Sequence, residues 1–112
     1  MSKHIPPSVP HDKVMMELLK NDPEFAAEYL KAALDEADTD EDGQAIFLDA
    51  IRRVAKVQGI EKIANAAGIP RESLSRALSS KGNPRLNTLF AVMKAMGMHL
   101  SIEPIHPDHH AA

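Results

Sequence analysis

A chain of 112 residues is one domain's worth, enough to bury roughly 65 % of its unfolded surface and too short for two independent cores; with 44 % hydrophobic and 26 % charged residues, wholesale disorder is excluded. The absence of cysteine excludes disulfides, thiolate zinc sites and cysteine nucleophiles and fits a reducing, cytoplasmic location, and no apolar run approaches the ~20 residues of a membrane span, so no membrane partner is expected. The net charge of −3 excludes a uniformly basic protein, and what it conceals depends on where the elements fall.

Ile5-Pro6-Pro7-Ser8-Val9-Pro10 reads as an extended arm, because proline lacks the amide donor and biases its predecessor away from helix. A short helix is expected from Asp12 to Lys20. At Asn21-Asp22-Pro23-Glu24, Asp22 can cap the next helix while Pro23 takes its first position, where a missing donor costs nothing. Phe25, Ala26, Tyr29, Leu30, Ala33 and Leu34 then recur at helical spacing and predict an amphipathic helix to about Glu36. Asp38-Thr39-Asp40-Glu41-Asp42-Gly43 is an acidic linker. A further amphipathic helix is predicted over about 44–58, ended by Gly59. Short helices follow over 60–67 and 71–79, separated by the turn Gly68-Ile69-Pro70. After the loop Ser80-Lys81-Gly82-Asn83-Pro84, a last helix is predicted over 87–96, stopped by Gly97. Met98, Leu100 and Ile102 alternate with His99, Ser101 and Glu103, which is strand periodicity.

On this map the charge divides. Residues 1–43 carry four lysines against eleven acids, a net of −7, whereas residues 44–103 carry nine Lys and Arg against four acids, a net of +5. A basic half is the electrostatic footprint expected of a nucleic-acid binder, and an acidic half faces a different partner.

The most informative stretch is 60–78. Two short helices meeting across a tight turn need a small residue where the backbones approach, and Ala64 supplies it. They need a residue tolerant of positive φ in the turn, and Gly68 supplies that. They need an aliphatic anchor on the second helix, and Leu74 supplies that, with Ile63, Ala67, Ile69, Ala77 and Leu78 completing the apolar set. The outward positions of the second helix are then Arg71, Glu72, Ser73, Ser75, Arg76 and Ser79. These are forked or short donors and acceptors, the types that read base edges or bind phosphate in a major groove. Arg71 and Glu72 occupy the first turn, the part that enters the groove in helix-turn-helix proteins, and are assigned to base reading. Ser73, Ser75 and Arg76 extend that surface, and Lys81, Asn83 and Arg85 in the next loop are assigned to phosphate. The expected partner is therefore double-stranded operator DNA, although a plain helical hairpin with a serine-rich surface would show the same pattern.

The run Ile63-Ala64, then Gly68-Ile69-Pro70-Arg71-Glu72-Ser73-Leu74-Ser75-Arg76-Ala77-Leu78-Ser79, then Gly82-Asn83-Pro84-Arg85-Leu86-Asn87-Thr88-Leu89 and Met96-Gly97-Met98 resembles the probable addiction-module antidote proteins. These are HigA-like antitoxins of the Xre/Cro helix-turn-helix superfamily. The resemblance covers about residues 15–102. Pro70 departs from it: many relatives place a capping serine there, and proline keeps the helix start but loses that oxygen and its phosphate bond. The resemblance implies a cytoplasmic antitoxin that represses its own operon and neutralises a RelE/HigB-like toxin; the residues alone also allow a stand-alone prophage-type repressor. The expected class is all-α, a five-helix Xre/Cro-like helix-turn-helix DNA-binding domain with an N-terminal helical extension and a short C-terminal strand, the helix-turn-helix domain being assigned to 44–103. It is preceded by an arm and short helix over 1–22 and a helix and acidic linker over 23–43, the toxin-binding candidate, and followed by a flexible tail over 104–112. A homodimer is expected to form by pairing of the strand Met98 to Glu103 across a two-fold axis.

No enzyme, cofactor or metal is expected. Ser73, Ser75, Ser79 and Ser80 have no histidine near in sequence to activate them. His106, His109 and His110 with Asp108 sit in a proline-containing tail that cannot preorganise a metal shell.

Overall fold

The sequence's own punctuation divides the described residues into six helices. A computed structural model describes residues 11–105, with α1 over His11–Asn21, α2 over Pro23–Ala37, α3 over Gly43–Gln58, α4 over Ile60–Ala67, α5 over Arg71–Ala77 and α6 over Leu86–Ala95. The proline-rich arm and the histidine tail lie outside the described residues. Asp22 caps α2 as its side chain accepts from the Phe25 N–H at 3.1 Å, and Pro23 occupies the first turn. Between α2 and α3 the acidic linker closes through the Asp42 N–H, which donates to Asp40 Oδ1 at 2.8 Å.

Every helix contributes to one core. Leu19 of α1 and Ala26 and Leu30 of α2 are buried together with Leu48, Ile51, Val54 and Ala55 of α3. The same cluster continues through Ile63 and Ala64 of α4, Leu74 of α5, Leu78, and Val92 and Met93 of α6. α3 is the shared wall, packing against α1 and α2 and also against α4, while α4 in turn packs against α5 and α6. The hydrophobic core thus crosses the charge boundary at Gly43.

Two expectations are corrected. The first concerns helix count. In place of a five-helix domain with an appended extension, the described residues form a six-helix bundle, because the apolar faces of α1 and α2 close over α3. The second concerns the C-terminal strand: residues 98–105 adopt no regular structure, and no strand exists among the described residues. Their alternation is spent differently. The Met98 N–H donates back to the Met93 carbonyl at 2.8 Å, Met98 and Leu100 pack against the core, and Ile102 is left 99 % exposed. Smaller differences lie at helix ends: α5 stops at Ala77 rather than 79, and α6 begins at Leu86.

The continuity of the core has a measurable consequence. Leu30, buried in α2, should cost about 2–4 kcal/mol on replacement by alanine, even though it precedes the charge boundary. Leu34, four residues later and 44 % exposed, should cost less than about 1 kcal/mol. Chemical denaturation of Leu30→Ala and Leu34→Ala checks this, and both should unfold in a single transition.

Candidate nucleic-acid interface

The turn between α4 and α5 is built by the residues singled out for it. Gly68 sits at φ 71°, the left-handed region that a Cβ disfavours. Its N–H bonds to the Asn65 carbonyl at 3.2 Å, and the Ile69 N–H reaches the Ala64 carbonyl at 2.9 Å. The last carbonyls of α4 are thereby satisfied within three residues of the start of α5. Pro70 opens α5 without a side-chain cap, and its carbonyl accepts from the Leu74 N–H at 2.9 Å. Leu74 is fully buried and fixes which face of α5 meets the core.

Arg71, Glu72, Ser75 and Arg76 come together. All four are exposed and line one open groove of about 570 Å³. Among the described residues no hydrogen bond or ion pair ties down their side chains, so their donors and acceptors face solvent uncommitted. Ser73 differs, being half-buried beside the core. Ser79, also half-buried, donates from Oγ to the Arg76 carbonyl at 2.8 Å and so trims the end of α5. The loop residues Lys81, Asn83 and Arg85 are exposed beyond that end and are not part of the groove. The Asn83 amide oxygen is engaged, 3.4 Å from Gln44 Nε2.

Three contributors escaped the sequence. Glu61, in the first turn of α4, lines the same groove as Arg71 and Arg76. The groove accordingly holds two carboxylates, Glu61 and Glu72, against two guanidinium groups. Gln44, at the start of α3, donates to the Gly82 carbonyl at 3.0 Å, bracing the loop after α5. Arg52, midway along α3, donates to the Leu78 carbonyl at 3.4 Å and is held by Asp49, which also pairs with Arg53 at 3.5 Å. Gly82 itself must be glycine, because a Cβ there would collide with the Ala77 carbonyl. Glu61 could have been found by asking which first-helix residue opposes the second helix across the turn. Gln44 and Arg52 carry no local signal, being 38 and 26 residues from their acceptors.

Residues 12–104 match the family described as probable addiction module antidote protein. The chain belongs to this family. A Haemophilus influenzae protein described only as uncharacterized is 38 % identical over 63 residues, a match covering 56 % of this chain and 65 % of that protein. The chain thus spans just under two thirds of that relative's length. No solved structure matches the chain at a significant level. The family's span takes in α2 to α6 whole and all but the first residue of α1. Among the described residues no helix is long and apolar enough to cross a membrane, and no group of three or more His, Asp or Glu is placed to hold a metal. His106, Asp108, His109 and His110 lie outside the described residues.

Gln44 offers a direct check on how the loop is held. Gln44→Ala should leave helix content unchanged while the amides of 81–83 exchange faster with solvent, because a loop released from a brace opens by local fluctuation. Hydrogen exchange followed by NMR reads this residue by residue.

Proposed function

We propose that this protein is the antitoxin of a type II toxin–antitoxin module. In this reading it binds operator DNA as a dimer through α4 and α5, represses its own operon, and neutralises a RelE/HigB-like toxin by direct contact in the cytoplasm. The observation that carries the DNA half is the groove on α5, where Arg71, Glu72, Ser75 and Arg76 stand uncommitted on a helix locked to the core by Leu74. A helix needing only solubility would more typically carry Lys and Glu pairs. The toxin half rests on the family's description and on the acidic first half of the chain, a surface complementary to a basic RNA-acting toxin.

The charges divide the labour between reading and holding. In the α5 groove Arg71 and Arg76 are balanced by Glu61 and Glu72, so the groove adds little net attraction for phosphate. Arginine there can fork onto guanine, and Glu72 can accept from cytosine N4. Sequence-independent attraction then comes from Lys81 and Arg85 in the adjoining loop. Arg71→Ala should therefore weaken binding to the protein's own promoter DNA by about 1–3 kcal/mol and relax sequence preference. Lys81→Ala should weaken binding to all DNA alike and lower the salt slope by about 1. Fluorescence anisotropy titrations against promoter and scrambled duplexes at several salt concentrations separate the two; identical behaviour of both variants to the wild type would remove the helix-turn-helix assignment.

Two copies are proposed because ~4–10 kcal/mol of preference over random DNA generally needs two half-sites. Apolar surface for that contact is offered by α6, where Leu86 and Phe90, one turn apart, are 63 % and 51 % exposed in the half of the chain that carries α5. An isologous contact covers both with one patch used twice. Phe90→Lys should yield monomers by light scattering and lose most specific DNA affinity; a variant that remains dimeric would move the contact elsewhere.

A second reading is favoured by one observation. Leu19, Ala26 and Leu30 are buried in the core, so α1 and α2 have a structural role even without a toxin, as in a stand-alone prophage-type repressor. Co-expression with the product of the adjoining reading frame decides: growth rescue by this chain supports the antitoxin, and absence of a toxic neighbour supports the repressor.

A further inference from the structure

A second groove, of about 280 Å³, runs between α2 and the segment that follows α6. It shares no residue with the groove on α5. Its walls are apolar: Leu30 and Leu34 of α2, Phe47 of α3, Met93 of α6, then Met98 and Leu100. Leu34 stays 44 % exposed, and Phe47, Met98 and Leu100 are only half-buried, so the floor is left uncovered. The linker that joins the α2 wall to the α3 wall continues directly from Asp35, which lines the groove. From Asp35 to Asp42 six of eight residues are acidic and none is basic, all six acids are exposed, and among the described residues no cation pairs with any of them. Asp35 and Glu103 bring acid into the groove itself, against Lys31 and the imidazole of His99.

An uncovered apolar slot beside an unneutralised acid run limits what can occupy it. DNA is repelled by the run. A second copy of this chain, docked across a two-fold axis, would bring two such runs together. A basic protein meets both demands: a large apolar side chain fills the slot, and lysines or arginines face residues 35–42. We infer that this groove is the toxin-docking site, composed of α2 together with the C-terminal segment 98–103, and that the toxin enters it with an apolar anchor flanked by basic residues. This rests on the antitoxin reading and extends it, because the sequence alone assigned that role to residues 23–43 and gave the C-terminal segment to dimerisation. Coulombic attraction steers the encounter, while desolvation of the anchor supplies most of the lifetime.

The test uses the full chain co-expressed and co-purified with the product of whichever reading frame adjoins its own. Ala27, exposed on α2 and lining the groove, is replaced by arginine to fill the slot, and Leu34→Lys removes its apolar bank. Both positions are open enough to leave the fold intact, which thermal melting verifies. Each variant should bind that protein at least about tenfold more weakly, as for a central anchor contact, while promoter binding is unchanged. Met16→Lys, at an exposed apolar position on α1 outside the groove, should bind within about twofold of wild type. Asp38→Asn with Glu41→Gln should slow association and flatten its salt dependence. Independently, hydrogen exchange of the wild-type complex should show protection of both 27–35 and 98–103. Wild-type affinity in both Ala27→Arg and Leu34→Lys, or protection confined to other segments, overturns the groove while leaving the antitoxin reading in place. If the wild-type chain fails to hold that protein at all, the antitoxin reading falls and the groove with it.

Discussion

Everything in this fold leans on the buried face of α3. Ile51, Val54 and Ala55 are completely shielded from solvent, and they meet the N-terminal helices on one side and α4 on the other. Aliphatic side chains in such a position lose both transfer energy and packing when shortened, because neighbours from two directions cannot collapse onto the gap together. Ala50 and Ala55 let the neighbouring backbones approach, so small residues shape the shared wall as much as large ones.

The same helix reaches further through its polar side chains. Gln44 and Arg52 bond to carbonyls at and beyond the end of α5, so the position of the exposed groove is referred to α3 twice. Arg52 is also tethered to Asp49, which restricts the rotamers a long side chain would otherwise sample. Such half-exposed bonds contribute little to global stability. Their effect is geometric: they limit how far the loop carrying Lys81 and Arg85 can drift from the groove that α5 presents.

What the sequence disclosed and what it withheld separate by range. Capping by Asp22, the turn at Gly68 and the anchor at Leu74 are local demands, each met by one residue type at one offset, and the structure has them where spacing predicts. Clustering of Arg71, Glu72, Ser75 and Arg76 on one face also follows from helical period alone. Ser73 is half-buried because a seven-residue helix set against a core has a narrow free face. The strand at Met98 failed for a different reason. Period-two alternation over five residues records only that Met98 and Leu100 face inward, and with no neighbouring backbone to pair with, that burial is met by an irregular segment. Inclusion of α1 and α2 in the core was hidden by charge, since the acidic residues that set the first half apart occupy the outer faces and say nothing about the inner ones.

That last point explains how one small core can present two surfaces of opposite character. Helices keep apolar and polar residues on separate faces, so net charge can reverse along the chain while the buried cluster runs on unbroken from Leu19 to Met96. Screening at physiological salt has a range of about 8 Å, short against the 46 Å long dimension of the molecule. Charges on well-separated faces therefore act largely independently, and acids that would oppose phosphate near α5 are tolerable elsewhere. The exceptions are Glu61 and Glu72, which stand inside the α5 groove with Arg71 and Arg76 and act at contact range. On the DNA-binding reading proposed above, carboxylates in that position would oppose a docking that places phosphate in the groove and accept one that offers them base-edge donors, so acids there would favour correct register over raw affinity.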